Sequence, residues 1–233
     1  MEISIKVNEV KNKDKVKAFA TVVFGDSFKI TNITVLEGKE GNLYVSMPRY
    51  RSNEKDENGS YIYKDICNPI TAEFREKLYS DIVGAYEKLG ANEEDKQKGS
   101  SPVMPEFKVT VVPYERENSN IKGLARVYFE DSFVVGNINI LQGKEKVFVA
   151  MPSYKTKQVD DNGKAVYQDI CYPVTKEFRD KLFTEIEKAY VEAKEKQQSE
   201  NKERESAKEK DRSKTTGGCE FMTIPDGHDS PFR

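Results

Sequence analysis

The sequence repeats itself, and no other feature limits its possible folds as strongly. Met47-Pro48-Arg49-Tyr50-Arg51-Ser52 returns as Met151-Pro152-Ser153-Tyr154-Lys155-Thr156, an offset of 151 − 47 = 104 residues. The same offset carries Asn58-Gly59 onto Asn162-Gly163, Asp65-Ile66-Cys67 onto Asp169-Ile170-Cys171, and Ala85-Tyr86 onto Ala189-Tyr190. Upstream, Asp26-Ser27-Phe28 maps to Asp131-Ser132-Phe133 at 131 − 26 = 105, so one residue separates the copies near Gly41. A fixed period of this length marks a repeated structural unit. The expected organisation is a first domain at 1–91, a linker at 92–105, a second domain at 106–195 and a charged tail at 196–233. At about 90 residues each copy is just large enough to support its own core.

Each copy reads as strands followed by one helix. Ile3, Ile5 and Val7 alternate with polar residues, as do Ala18, Ala20, Val22 and Phe24, which is the period of a half-buried strand. Gly25-Asp26 turns the chain into a third strand on Phe28, Ile30, Ile33 and Val35, where the step from Ile30 to Ile33 predicts a β-bulge. Leu43 to Met47 forms a short strand. A polar excursion then turns at Asp56-Glu57-Asn58-Gly59, a hairpin tip, and returns along Tyr61 to Ile66. After Pro69, Thr71 is placed as an N-cap, and Phe74, Leu78, Ile82, Ala85, Tyr86 and Leu89 form the buried face of a helix. Thr175, Phe178, Leu182, Ile186, Ala189, Tyr190 and Ala193 repeat it. The fold class is therefore α+β: two tandem copies of a small antiparallel sheet with a C-terminal helix, paired as an intrachain pseudo-dimer.

Composition narrows the chemistry. The 233 residues are 33% charged and 36% hydrophobic, with a net charge of −2. No stretch reaches the ~18 apolar residues of a membrane span, and the N-terminus opens on a strand pattern instead of a signal peptide. A soluble, cytoplasmic protein is expected. Three cysteines, Cys67, Cys171 and Cys219, lack metal-ligand spacing, and the single histidine, His228, lies in the tail. No metal, cofactor or enzymatic activity is expected, since no nucleophile–base pair or phosphate-cradling glycine loop stands out. Asp65 and Asp169 read as local backbone acceptors, and Cys67 and Cys171 as small buried residues before the helix.

The Met-Pro segments, followed by Arg51-Ser52 or Lys155-Thr156 and by Asp65-Ile66-Cys67-Asn68-Pro69 or Asp169-Ile170-Cys171-Tyr172-Pro173, resemble the stage V sporulation protein G (SpoVG, septation protein) family. The resemblance spans most of residues 1–195. It implies a site-specific regulator that binds DNA or RNA, works as a homodimer and contacts nucleic acid through basic residues after Met-Pro. Carried onto this sequence, those positions are Arg49, Arg51 and Lys155, with Tyr50 and Tyr154 standing where a basic residue is common and Lys157 widening the patch.

Arginine forks pair with phosphates and tyrosine rings stack on exposed bases. The same run would serve equally as a solvated strand end that protects a sheet edge. Lys11, Lys13, Lys15 and Lys17 form another basic cluster, read as a solvated turn.

A rival function lies in the tail. Phe221, Ile224, Pro225, Pro231 and Phe232 are apolar islands among acids, the pattern of a linear motif that docks in a partner's groove. The segment resembles the acidic tip of bacterial single-stranded DNA-binding proteins, although Arg233 follows the phenylalanine here. On this reading the paired domains are a scaffold and the protein is a non-enzymatic adaptor.

Overall fold

The computed structural model of the chain describes residues 1–11, 15–89, 104–114 and 118–215. Most of the linker, the basic turn at Lys13 and the terminal motif with Phe221, Ile224, Pro225, Pro231 and Phe232 lie outside the described residues. Met1–Ala193 forms one compact unit that takes in both copies, and a second unit begins at Lys194.

In the first copy, β1 (Ile3–Glu9), β2 (Val16–Phe24) and β3 (Phe28–Glu37) form an antiparallel meander, with β4 (Leu43–Ser46) on β3. Next come a two-stranded arm, β5 (Arg49–Lys55) with β6 (Tyr61–Asp65), a three-residue strand β7 (Cys67–Pro69) and α1 (Ala72–Lys88). The second copy repeats the order: β8 (Phe107–Pro113), β9 (Ile121–Phe129), β10 (Phe133–Gln142), β11 (Val147–Ala150), β12 (Ser153–Val159), β13 (Ala165–Asp169), β14 (Cys171–Pro173) and α2 (Lys176–Thr215).

Local chemistry accounts for these elements. Alternate residues Ala18, Ala20, Val22 and Phe24 of β2 are fully buried, as the period of two requires. The bulge falls where the pattern breaks: Val22 pairs with Ile30 but Ala20 with Ile33. Asn32 takes φ 60 there and Asn137 takes φ 56 in the other copy, a left-handed conformation that asparagine tolerates better than most residues. Thr71 Oγ1 accepts the Phe74 N–H and Thr175 Oγ1 the Phe178 N–H, each at 3.3 Å, so both helices begin with a side-chain cap.

The copies exchange strands. β4 covers only Thr34–Glu37 of the outer edge of β3, leaving Phe28–Ile30 without a partner from its own copy. That gap is filled by β14 of the second copy, which pairs Cys171 with Ile30 and Pro173 with Phe28. Reciprocally, β7 of the first copy lies beside β10, pairing Cys67 with Val135 and Pro69 with Phe133. Flanking bonds repeat the symmetry: Thr31 N–H donates to Ile170 O and Gly136 N–H to Ile66 O, both at 2.8 Å. A buried edge must satisfy its backbone groups, and here each copy satisfies the other's.

Beneath the exchange lies one shared core. Phe24, Phe28, Phe129, Phe133 and Phe178 are fully buried. Ring centroids of Phe24 and Phe133 are 5.1 Å apart, and those of the matching pair Phe28 and Phe129 are 4.8 Å apart. Phe24 meets Phe129 edge-on at 5.6 Å. Such pairs contribute ~0.5–1.5 kcal/mol each beyond burial. The expectation of a separate core for each copy is thus corrected: the largest buried side chains face across the copies. The amino group of Met1 also crosses over to Glu130 at 2.6 Å.

The second unit is helical through Thr215. The charged tail that begins at residue 196 is helical as far as Thr215. Residues 196–215 are rich in Lys, Glu, Gln and Arg, all strong helix formers, so α2 continues without an apolar stripe. Among the described residues, no helix is long and apolar enough to cross a membrane.

Candidate nucleic-acid interface

The Met-Pro segment ends β4 and launches the arm. Met47 is buried, and Ile66 N–H donates to Pro48 O at 2.8 Å, which closes the base of the arm. At its tip, Asp56 Oδ1 accepts the N–H groups of Asn58 and Ser60 at 2.9 and 2.8 Å, and Gly59 takes φ 77. Asp160 and Gly163 repeat this in the second arm, with Asp160 Oδ1 accepting from Asn162 and Lys164 at 2.9 and 2.7 Å. The predicted hairpin tip is thus built by an Asp side chain and a left-handed glycine.

Register decides which side chains the first arm presents. Arg49 lies opposite Asp65, and Arg51 opposite Tyr63, on one face. Tyr50 and Lys64 pair on the other face, next to buried Ser52. Tyr50 is half-buried and packs against the core, while Tyr154 is exposed and its hydroxyl donates to Gln168 Oε1 at 2.7 Å. The two tyrosines singled out from sequence therefore occupy different settings.

The cations divide in the same way. Arg49 Nε donates to Asp65 Oδ1 at 2.8 Å, so Asp65 holds a guanidinium where a backbone group was expected. Lys64 is bound to Glu54 at 2.6 Å, which raises its pKa above the usual lysine value. Lys17, at the start of β2, pairs with Glu37 at the end of β3. Arg51 and Lys55 have no ion pair among the described residues. Instead they pack on the Tyr61 ring, with the Arg51 guanidinium carbon 4.3 Å and Lys55 Nζ 5.1 Å from its centroid. In the second arm Lys155 and Lys157 are exposed and likewise unpaired, and Lys155 faces Tyr167.

Three rings that sequence reasoning passed over stand out on these faces. Tyr61 is 45%, Tyr63 61% and Tyr167 63% exposed. Their phase was available: Ile62 turns inward on β6, so its neighbours must turn outward.

Cys67 and Cys171, the first residues of the exchange strands β7 and β14, are free, buried and side by side. Burial pushes the Cys67 thiol well above its ordinary pKa, and the adjoining Cys171 adds to the shift. Cys219 lies outside the described residues.

The sequence model of the SpoVG family matches residues 1–88 and again 104–192. The chain belongs to the SpoVG family. A septation protein SpoVG of Treponema denticola is 42% identical over 89 residues, which is 38% of this chain and 88% of the relative. The corresponding protein of Clostridium acetobutylicum is 35% identical over 92 residues, 40% of this chain and 90% of the relative. That of Clostridium kluyveri is 37% identical over 90 residues, covering 39% and 85%. Each alignment has the length of one copy and takes in most of a SpoVG relative, so this chain carries two SpoVG units in tandem.

Proposed function

We propose that this protein is a non-enzymatic, nucleic-acid-binding regulator that grips the phosphate backbone with its two arms. The observation that carries the reading is that both arms project unpaired cations on a solvent-facing surface: Arg51 and Lys55 on one, Lys155 and Lys157 on the other. An otherwise near-neutral chain then binds through local patches, so its affinity depends strongly on salt. Arg49 contributes less than Arg51. Its Nε is occupied by Asp65, whose charge offsets its own, although the rest of the fork stays available to an oxygen acceptor. The names of the relatives refer to septation, and regulation linked to cell division is the setting proposed for this binding.

Fluorescence anisotropy across a salt series tests the reading. Arg51→Ala and Lys155→Ala should each weaken binding and lower the slope of log K against log salt by about 0.7–0.9, the share of one phosphate contact. Arg49→Ala should do less. Slopes unchanged in all three variants would remove the arms from the interface.

A further inference from the structure

The arms differ from a simple basic patch in one respect. Each sets a cation directly opposite an exposed tyrosine: Arg51 against Tyr63 on the first arm, Lys155 against Tyr167 on the second. The rings are exposed to nearly the same degree, 61% and 63%. Their surroundings have diverged, since Arg49, Lys64 and Tyr61 correspond to Ser153, Gln168 and Ala165. The ring opposite the cation is thus retained where the flanking residues are not. Isolated exposed apolar residues are ordinary on a surface. A matched cation-and-ring pair on each of two projecting arms is a recurrent chemical unit.

That unit suits one class of ligand. A nucleotide in an unpaired strand offers a phosphate and, a few ångströms away, a free π-face. A cation takes the first and a phenol ring the second. Within a duplex the base faces are stacked on one another, so an exposed ring has nothing to cover except at an end. We propose that the arms are built for single-stranded nucleic acid, with Tyr63 and Tyr167 stacking on unpaired bases beside the phosphates held by Arg51 and Lys155. This proposal rests on the reading of the arms as the nucleic-acid site.

The first arm carries a second ring, Tyr61, flanked by Arg51 and Lys55. Its counterparts on the second arm are Ala165 and Val159. A guanidinium already lying on a ring extends the stacking platform, because its other face can take a base. The first arm therefore engages two bases and the second arm one, so the two halves are unequal in strength.

The test uses the full chain with three fluorescent probes: a 20-nucleotide dT strand, a 20-nucleotide rU strand and a 20-base-pair duplex. Wild type should bind the single strands more tightly than the duplex. Tyr63→Ala with Tyr167→Ala should weaken single-strand binding roughly tenfold or more while leaving the salt slope unchanged, as loss of stacking without loss of phosphate contacts requires. The duplex should be bound as before, and the Phe pair at the same positions should retain single-strand binding. Tyr61→Ala should cost more than any substitution of Ala165.

If the double Ala variant binds dT and rU like wild type while Arg51→Ala with Lys155→Ala loses affinity and slope, the stacking proposal falls and the phosphate site stands. Equal wild-type binding to strand and duplex, with the tyrosine variant losing both equally, also overturns it. If neither pair of substitutions changes binding, both the proposal and the underlying site are wrong.

Discussion

Cys67 and Cys171 show how one pair of residues reports on the whole exchange. They reach each other because β7 and β14 cross to opposite sheets, and both end fully buried. Burial shields both sulfurs from solvent-borne reagents, and at Cys67 it also holds the proton on, which slows reaction further. Native protein at pH 8 should therefore titrate with a thiol reagent only on the timescale of opening at these two positions. The pH dependence has a definite sign. Below the usual thiol pKa of ~8.5 both folded and unfolded chains hold the proton, so the Cys67 contribution does not vary. Above it the unfolded chain ionises while folded Cys67, with its pKa raised by burial, stays neutral, and stability falls as pH climbs. Urea midpoints at pH 7.5 and 10 should show a larger drop in wild type than in Cys67→Ala. An equal drop in both would mean that burial does not hold the proton on.

Among elements, the seat of α2 on β9 yields a prediction that the two copies make for each other. A Cβ added at Gly123 would stand 3.2 Å from the Tyr190 ring and 3.2 Å from Ile140 Cδ1. The first copy has Ala18 at that place, and its Tyr86 is less buried than Tyr190. Gly123→Ala should push Tyr190 outward toward the position of Tyr86, costing about 1 kcal/mol as overpacking and measurable as a lowered urea midpoint. No loss, or a gain, would mean that the ring adjusts freely.

Element by element, legibility followed periodicity. β2, β3 and α1 were readable because one face is apolar at a period of 2 or 3.6. The polar outgoing strand Arg49–Lys55 was readable only as an excursion, since both its exposed face and its tip are polar. β7 and β14 were not readable at all: three residues carry no period, and their partners lie in the other copy. Motif and charge single out Arg49, Arg51, Lys155 and Lys157 as candidates. That Arg49 is held by Asp65, and that Tyr63 faces Arg51, depends on register, which pairs residues 16 and 12 positions apart.

For the molecule as a whole, duplication and exchange together mean that neither copy is complete. Without β14, the edge of β3 at Phe28–Ile30 has no partner, and without the second copy Phe24 and Phe28 lose the rings of Phe133 and Phe129. The Treponema denticola and Clostridium acetobutylicum relatives are little longer than one copy, so the same closure in a chain of that length would require a second molecule. Fusion frees the two halves to differ, as the arms do at Arg49 and Ser153 or Tyr61 and Ala165, whereas identical subunits must carry identical arms. A fragment of residues 1–89 tests this dependence. Its exposed edge and phenylalanine faces should drive it into a homodimer in which each β7 fills the partner's β3 edge. Light scattering should then give twice the fragment mass, and unfolding should depend on protein concentration. A fragment that is monomeric and cooperatively folded at micromolar concentration would show that one copy closes on itself, and that the exchange follows from fusion instead of being required by the fold.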